Sequence, residues 1–272
     1  MTRPPIHVVV YGAYGAGKST FAATFPKPIL VFAFDPLGKE APYRELGRCE
    51  DVEAEADAPR HTVVTSRKSD RLLARVEYFH DTEIDSNGVY RPTAYRGFLR
   101  RFASVYDEVR SGMWATVVVD TLTFMELTAR KLSQYELDKN SREPRRWFAA
   151  ATDMVEEAVL CRLGGLPVNV VVIGHVDSDK DEVAGHMVFQ PAAPGRLRTR
   201  LGGGYPEVYV AHARRDRTTE QIQYWLQTRT DARYNASSVF LGAPDPCEPA
   251  YRALWTVWDA KHGVDEKGGE AS

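Results

Sequence analysis

The chain has 272 residues, a net charge of −2, and 43% apolar and 26% charged residues. That balance suits a domain burying roughly three quarters of its unfolded surface, and it excludes a disordered chain, a disulfide miniprotein and a fibrous repeat. It also excludes a generally basic nucleic-acid coat, so any nucleic-acid contact must be a local patch. The longest apolar runs, Ile29 to Phe34 and Val170 to Ile173, fall far short of the ~18 residues that cross a bilayer, so no membrane partner is expected. Cys49, Cys161 and Cys247 lack metal-ligand spacing, and residues 1–5 carry no signal-peptide pattern. A reduced, cytoplasmic setting is therefore expected.

Taken in order, His7 to Tyr11 reads as a β-branched strand and Gly12 to Gly17 as a glycine-rich turn. Lys18 to Phe25 follows as a short helix, stopped by Pro26 and Pro28. Ile29 to Phe34 is a continuous apolar strand, the pattern of a parallel sheet covered on both faces. Gly38 to Arg60 is polar, with Glu50, Asp51, Glu53, Glu55 and Asp57 in an acidic run, and reads as a solvated connection. A β-hairpin insertion is expected at about 62–92, its arms Val76 to His80 and Gly88 to Tyr90 joined through Asn87-Gly88. Ala94 to Arg110 reads as an amphipathic helix and Ala115 to Asp120 as a buried strand. Leu122 to Leu137 and Arg145 to Leu163 are helical, and Val168 to His175 is another buried strand. Val176 to Arg200 reads as a long polar loop, followed by strands at Glu207 to Ala211 and Gln221 to Thr228. The fold class expected is α/β: one domain over 1–260, its mostly parallel sheet flanked by helices and extended antiparallel at the C-terminus. A flexible tail is expected over 261–272, where Asp265, Glu266 and Glu270 are acidic.

The chemistry begins at Gly12-Ala13-Tyr14-Gly15-Ala16-Gly17-Lys18-Ser19, which fits G-x-x-x-x-G-K-[ST] between a strand and a helix. Backbone amides of such a loop wrap phosphates, with Thr20 continuing the cradle. Lys18 is expected to reach the β- and γ-phosphates, and Ser19 to hold Mg²⁺. Asp120 ends the Thr116–Asp120 strand, where a carboxylate serves the same Mg²⁺, directly or through water. His175 ends the next strand on the ligand side of the sheet, placed to sense the γ-phosphate. ATP and Mg²⁺ are the expected cofactors.

The order of P-loop, Asp-ending strand and polar-ended strand before a long polar loop resembles the RecA-like recombinase ATPases. Phe25-Pro26-Lys27-Pro28, Gly174-His175 and Pro194-Gly195 are similar to segments of small phage-encoded RecA-like single-strand annealing proteins, over roughly residues 6 to 240. The resemblance implies a RecA-like core, ATP at subunit interfaces of a filament or ring, and single-stranded DNA on the loop after the sensor strand. It also implies a glutamate after the second strand to activate water. Leu37 stands at that place, and Asp35 or Glu40 would substitute, which implies slow, DNA-stimulated turnover. A basic residue reaching the neighbouring subunit falls to Arg229 or Arg233.

Arg196, Arg198 and Arg200, in a glycine-flanked segment, suit phosphate tracking, with Tyr205 as a stacking face. Phe189 is a second stacker, and Arg214, Arg215 and Arg217 form another basic cluster. The expected function is an ATP-dependent single-stranded-DNA-binding protein promoting pairing or annealing, with a single-strand-binding or replication protein as a further partner. The alternatives are a P-loop small-molecule kinase and a non-hydrolysing nucleotide switch bound to a replication partner.

Overall fold

The computed structural model describes residues 3–54, 59–81, 83, 84, 86, 88, 90–137, 144–180 and 185–264. The chain opens with β1 (His7–Gly12), α1 (Lys18–Ala22) and β2 (Ile29–Ala33). Next come α2 (Ala41–Arg44), β3 (Arg48–Val52), β4 (His61–Thr65) and β5 (Leu72–Tyr78). The short pair β6 (Glu83–Ile84) and β7 (Tyr90–Arg91) precedes α3 (Ala94–Arg110), β8 (Thr116–Asp120) and α4 (Leu122–Leu137). α5 (Pro144–Glu156) continues as a π-helical stretch, Glu157–Leu163, into β9 (Asn169–Lys180) and β10 (Met187–Pro191). The remainder is α6 (Leu197–Gly204), β11 (Glu207–Arg215), β12 (Ile222–Gln227), β13 (Ser237–Ser238), α7 (Tyr251–Leu254) and α8 (Thr256–His262).

One eleven-stranded sheet runs in the order β12-β11-β1-β9-β8-β2-β5-β4-β3, with β10 on β9 and β13 on β11. From β11 to β5 neighbouring strands are parallel, and the others join antiparallel. Alternation along β1 divides the core. Val9 and Tyr11 pack with Phe98, Phe102, Met125 and Val155 of α3, α4 and α5. Val8 and Val10 pack on the other face with Phe21, Tyr43 and Trp255. Strands apolar on both sides are stable only under such double cover. This is the expected α/β architecture, a mostly parallel sheet with helices on both faces. Its register brings Gly12 beside His175 and Asp120 beside Ala33 at one sheet edge.

The structure corrects three expectations. The segment 62–92 is not an inserted hairpin: β4 and β5 belong to the main sheet, and β5 lies parallel to β2. Only β6 and β7 make a separate two-stranded sheet, and Asn87 lies outside the described residues. Charges disguise β5. Glu77 is fully buried, and Arg75 and Arg101 each stand 2.9 Å from it, which makes its burial tolerable. The connection 38–60 is likewise partly built, since α2 and β3 lie within it; Glu55 and Asp57 lie outside the described residues. Finally, 176–200 is not one loop. β9 runs on to Lys180 and pairs with β10, and α6 begins at Leu197. At the C-terminus α8 reaches His262, and Gly263 caps it at φ 63°; residues 265–272, with the acidic tail, lie outside the described residues. No described helix is long and apolar enough to cross a membrane.

Candidate functional site

The P-loop leaves β1 where β11 crowds it. A Cβ on Gly12 would stand 2.3 Å from the carbonyl oxygen of Ala211, so only glycine admits that approach. Gly17 has φ +79°, and a Cβ there would meet the Tyr224 ring at 3.1 Å. Between them Tyr14 is 73% exposed while Ala16 is buried. Lys18 is buried, and its ammonium donates to the carbonyls of Gly12 (2.9 Å) and Ala13 (2.7 Å). Burial pulls its pKa down to about 8, against the opposing attraction of Asp120 and Asp35.

Asp120, at the end of β8, is 4% exposed. The Tyr43 hydroxyl donates to it at 3.0 Å, and Ser19 hydrogen-bonds to it as well. Burial pushes its pKa up to about 6, with the charge of Asp35 adding, while the two hydrogen bonds and Lys18 oppose the rise. The Asp120–Thr121 peptide is cis, and the Thr121 hydroxyl donates to Asp35 at 2.6 Å. His175 lies 4.4 Å from the Tyr14 ring and edge-on to Phe124 at 5.8 Å. Its backbone N–H donates to the Thr123 hydroxyl (3.1 Å), and burial, aided by Lys18, holds the imidazole pKa below its usual value.

Tyr43 is held in turn from the far sheet edge. Its neighbour Arg44 forks onto Asp51 of β3 at 2.6 and 3.0 Å and reaches the Thr62 hydroxyl of β4 at 3.0 Å. Thr62 also bonds the Tyr78 hydroxyl at 2.8 Å. The Arg44 fork, with Thr62, lowers the Asp51 pKa to about 2.

A cavity of about 440 Å³ is lined by the P-loop from Tyr14 on, with Asp35, Lys39, Asp120, Thr121 and His175 and with Tyr224 of β12 and Pro249. A nucleoside triphosphate with Mg²⁺ fits this lining. Gly15 and Gly17 hold positive φ angles in the loop before α1, and Ser19 with Asp120 offers one hydroxyl and one carboxylate. Among the described residues no cluster of three or more His, Cys, Asp and Glu could hold a metal, and Mg²⁺ characteristically takes few protein ligands beside phosphate. Bound there, the ion would neutralise charge developing on the γ-phosphate.

The structure thus brings together Gly12 to Thr20, Asp120 and His175. Glu40 is turned away, its carboxylate accepting the Gly38 N–H at 2.7 Å, and Asp35 is the acidic group in the cavity beside Asp120. Tyr205 is buried with its hydroxyl on the Val159 carbonyl at 2.9 Å, so it is no stacking face. Arg198 bridges Asp177 (2.8 Å) and Asp179, and Arg200 pairs with Glu156. The expected glycine-flanked loop is instead α6, and of its three arginines only Arg196 has no ion pair among the described residues. Arg229 and Arg233 are exposed, and the Arg233 carbonyl accepts from the Phe189 N–H at 2.6 Å, on the strand that pairs with β9 beyond His175. Phe189 stacks on Tyr234 at 4.9 Å. The residues missed in sequence are Tyr43 and Tyr224: each arrives from a segment distant in the chain, with no local motif to flag it.

The AAA domain family (AAA_24) matches residues 4–237. No curated protein matches the chain. Among solved structures it is similar to a KaiC-like protein from the hyperthermophilic archaeon Pyrococcus horikoshii, at 13% identity and a TM-score of 0.39, covering 84% of this chain and 80% of that one. It is also similar to an ATPase from the type III secretion system of pathogenic bacteria, at 13% identity and a TM-score of 0.40, covering 76% of this chain and 52% of the other. With a P-loop, a buried Asp120 and a family match across most of its length, the chain belongs to the AAA domain family of P-loop ATPases.

Proposed function

We propose that the protein is a Mg²⁺-dependent ATPase that binds single-stranded DNA according to its nucleotide state and promotes pairing or annealing as a self-assembled ring or filament. The observation that supports it best is the convergence of Lys18, Ser19, Asp120 and Asp35 on one cavity. Lys18 would neutralise phosphate charge, Ser19 and Asp120 would hold the ion, and Asp35 would orient and deprotonate the attacking water. His175, against Tyr14 of the P-loop, lies on the strand that continues into the β9–β10 ribbon. That contact offers a route from the phosphates to the surface. The basic hairpin β11–β12, with Arg214, Arg215 and Arg217 exposed, supports a polymer contact better than α6 does.

A non-hydrolysing switch is the second reading, favoured by the exposure of Leu37 and the diversion of Glu40 to the Gly38 amide. For a small-molecule kinase the structure supplies less support. A second cavity, of about 300 Å³ beside Gln190, Arg198 and Asn235, shares no lining residue with the first.

The test is anisotropy of a labelled single strand with Mg²⁺ and no nucleotide, ADP, or a slowly hydrolysed ATP analogue, with phosphate release measured in parallel. Tighter binding with the analogue, abolished in Lys18→Ala, is the expected result. Equal binding in all states would discard nucleotide-gated DNA contact, and tight ATP binding without phosphate release would select the switch.

A further inference from the structure

Resting on the reading of the cavity as a Mg²⁺–nucleotide site, we infer that Tyr43 is a positioning residue for the Asp120 carboxylate. Its hydroxyl holds that carboxylate in the orientation that serves the ion and keeps it off the Lys18 ammonium. Tyr43 is fully buried, and its hydroxyl donates to Oδ2 of Asp120 at 3.0 Å. Ser19 hydrogen-bonds to both groups. One phenol therefore touches both residues proposed to hold the ion. Pro42 and Asp120 line the cavity and Tyr43 does not, so it acts through these two residues rather than on the nucleotide.

The ring and the hydroxyl have separate tasks. The ring lies in the core with Phe21, Val31 and Val118, where phenylalanine would fill the same space. The hydroxyl is what that core does not need, since burying it costs free energy unless it finds a partner. Burial, with the charge of Asp120, holds the phenol pKa well above its ordinary value, so the group keeps its proton and donates. Its place is fixed from the other side as well, because the next residue, Arg44, forks onto Asp51 and reaches Thr62. Without this donor Asp120 is left with Ser19, the attraction of Lys18 and the repulsion of Asp35. A carboxylate drawn onto Lys18 would take a ligand from the ion and a cation from the phosphates at once. Outer partners of metal ligands are commonly worth about 10–100-fold in metal affinity because they prevent such reorientation.

The probe is a fluorescent N-methylanthraniloyl derivative of a slowly hydrolysed ATP analogue, bound to the full chain with Mg²⁺ titrated in or removed by EDTA. In Tyr43→Phe the Mg²⁺ concentration for half-maximal enhancement of binding should rise about tenfold, while binding in EDTA stays within about twofold of the natural sequence. In an Asp120→Ala background the same change should move the Mg²⁺ requirement less than about twofold, because the group it positions is gone. A cooperative thermal transition reports that each variant folds. Three results overturn the inference: a Mg²⁺ requirement shifted less than about threefold by Tyr43→Phe, binding in EDTA weakened as much as binding with Mg²⁺, or an equal shift in both backgrounds. If the natural sequence does not bind the probe at all, the nucleotide reading itself falls and the inference with it. If it binds the probe equally with Mg²⁺ and with EDTA, the place of the ion in that reading falls, again taking the inference with it.

Discussion

Two antiparallel ribbons stand at the P-loop edge of the sheet, and they are built on opposite electrostatic plans. The β9–β10 ribbon begins at His175 and carries Asp177 and Asp179, with Arg198 of α6 bound to both. The β11–β12 hairpin carries Arg214, Arg215 and Arg217, offset only by Asp216 and an exposed Arg215–Glu220 pair at 3.2 Å. The carboxylates of the first hold an arginine of the neighbouring helix, and the second presents its arginines to solvent. Both adjoin the nucleotide cavity, one through His175 and the other through Tyr224. An arginine count along the chain is therefore a poor guide to where a phosphate backbone can sit, since a guanidinium held by two carboxylates offers no net charge to it.

The comparison breaks first at the chemistry that both ribbons share. Asp120→Asn should lower phosphate release about 100-fold or more, since it removes the carboxylate proposed to serve the metal; a loss under about tenfold would shift that role to Asp35. The same substitution has a stability signature of definite sign. The folded pKa of Asp120 is raised to about 6, so its ionised form costs folding energy above that pH, and the cost fades as pH falls toward the unfolded value. Asp120→Asn should therefore raise the melting temperature at pH 7 by a few degrees, with the gain shrinking below pH 6. A gain that grows on acidification would contradict the assignment.

Next comes the binding of the polymer. Arg214→Glu with Arg217→Glu should weaken single-strand binding about tenfold at low salt and make its log–log salt dependence shallower by about 0.7 for each phosphate no longer neutralised. Asp177→Asn with Asp179→Asn should leave binding unchanged or strengthen it, and a weakening there would restore the ribbon as the DNA site. The smallest effect is expected for Arg198→Ala. Its exposed ion pairs are worth about 0–1 kcal/mol, so the melting temperature should fall by no more than a few degrees and DNA affinity should drop less than in the hairpin variant.

Much of this molecule was legible in sequence. The helices 94–110 and 122–137 fall where their apolar spacing puts them, and the P-loop and Asp120 meet as their motifs require. Misreadings arose where charge is used internally. Arg75 and Glu77 make β5 look like surface, Asp51 makes β3 look like a linker, and Arg196 to Arg200 look mobile because the carboxylate partners of Arg198 and Arg200 lie 19 to 44 residues away. Pattern reading detects apolar periodicity, whereas a buried or bridged charge obeys pairing rules written by tertiary contacts.

Through Tyr43, the fork of Arg44 on Asp51 links the remote sheet edge to the Asp120 carboxylate. Because Tyr43 precedes Arg44 directly and donates to Asp120, substitutions at 44, 51 or 62 should shift the acidity of a group none of them touches. Relatives could diverge in operating pH while keeping every phosphate-binding residue, their adaptation recorded in a stretch of chain that looks like mere surface.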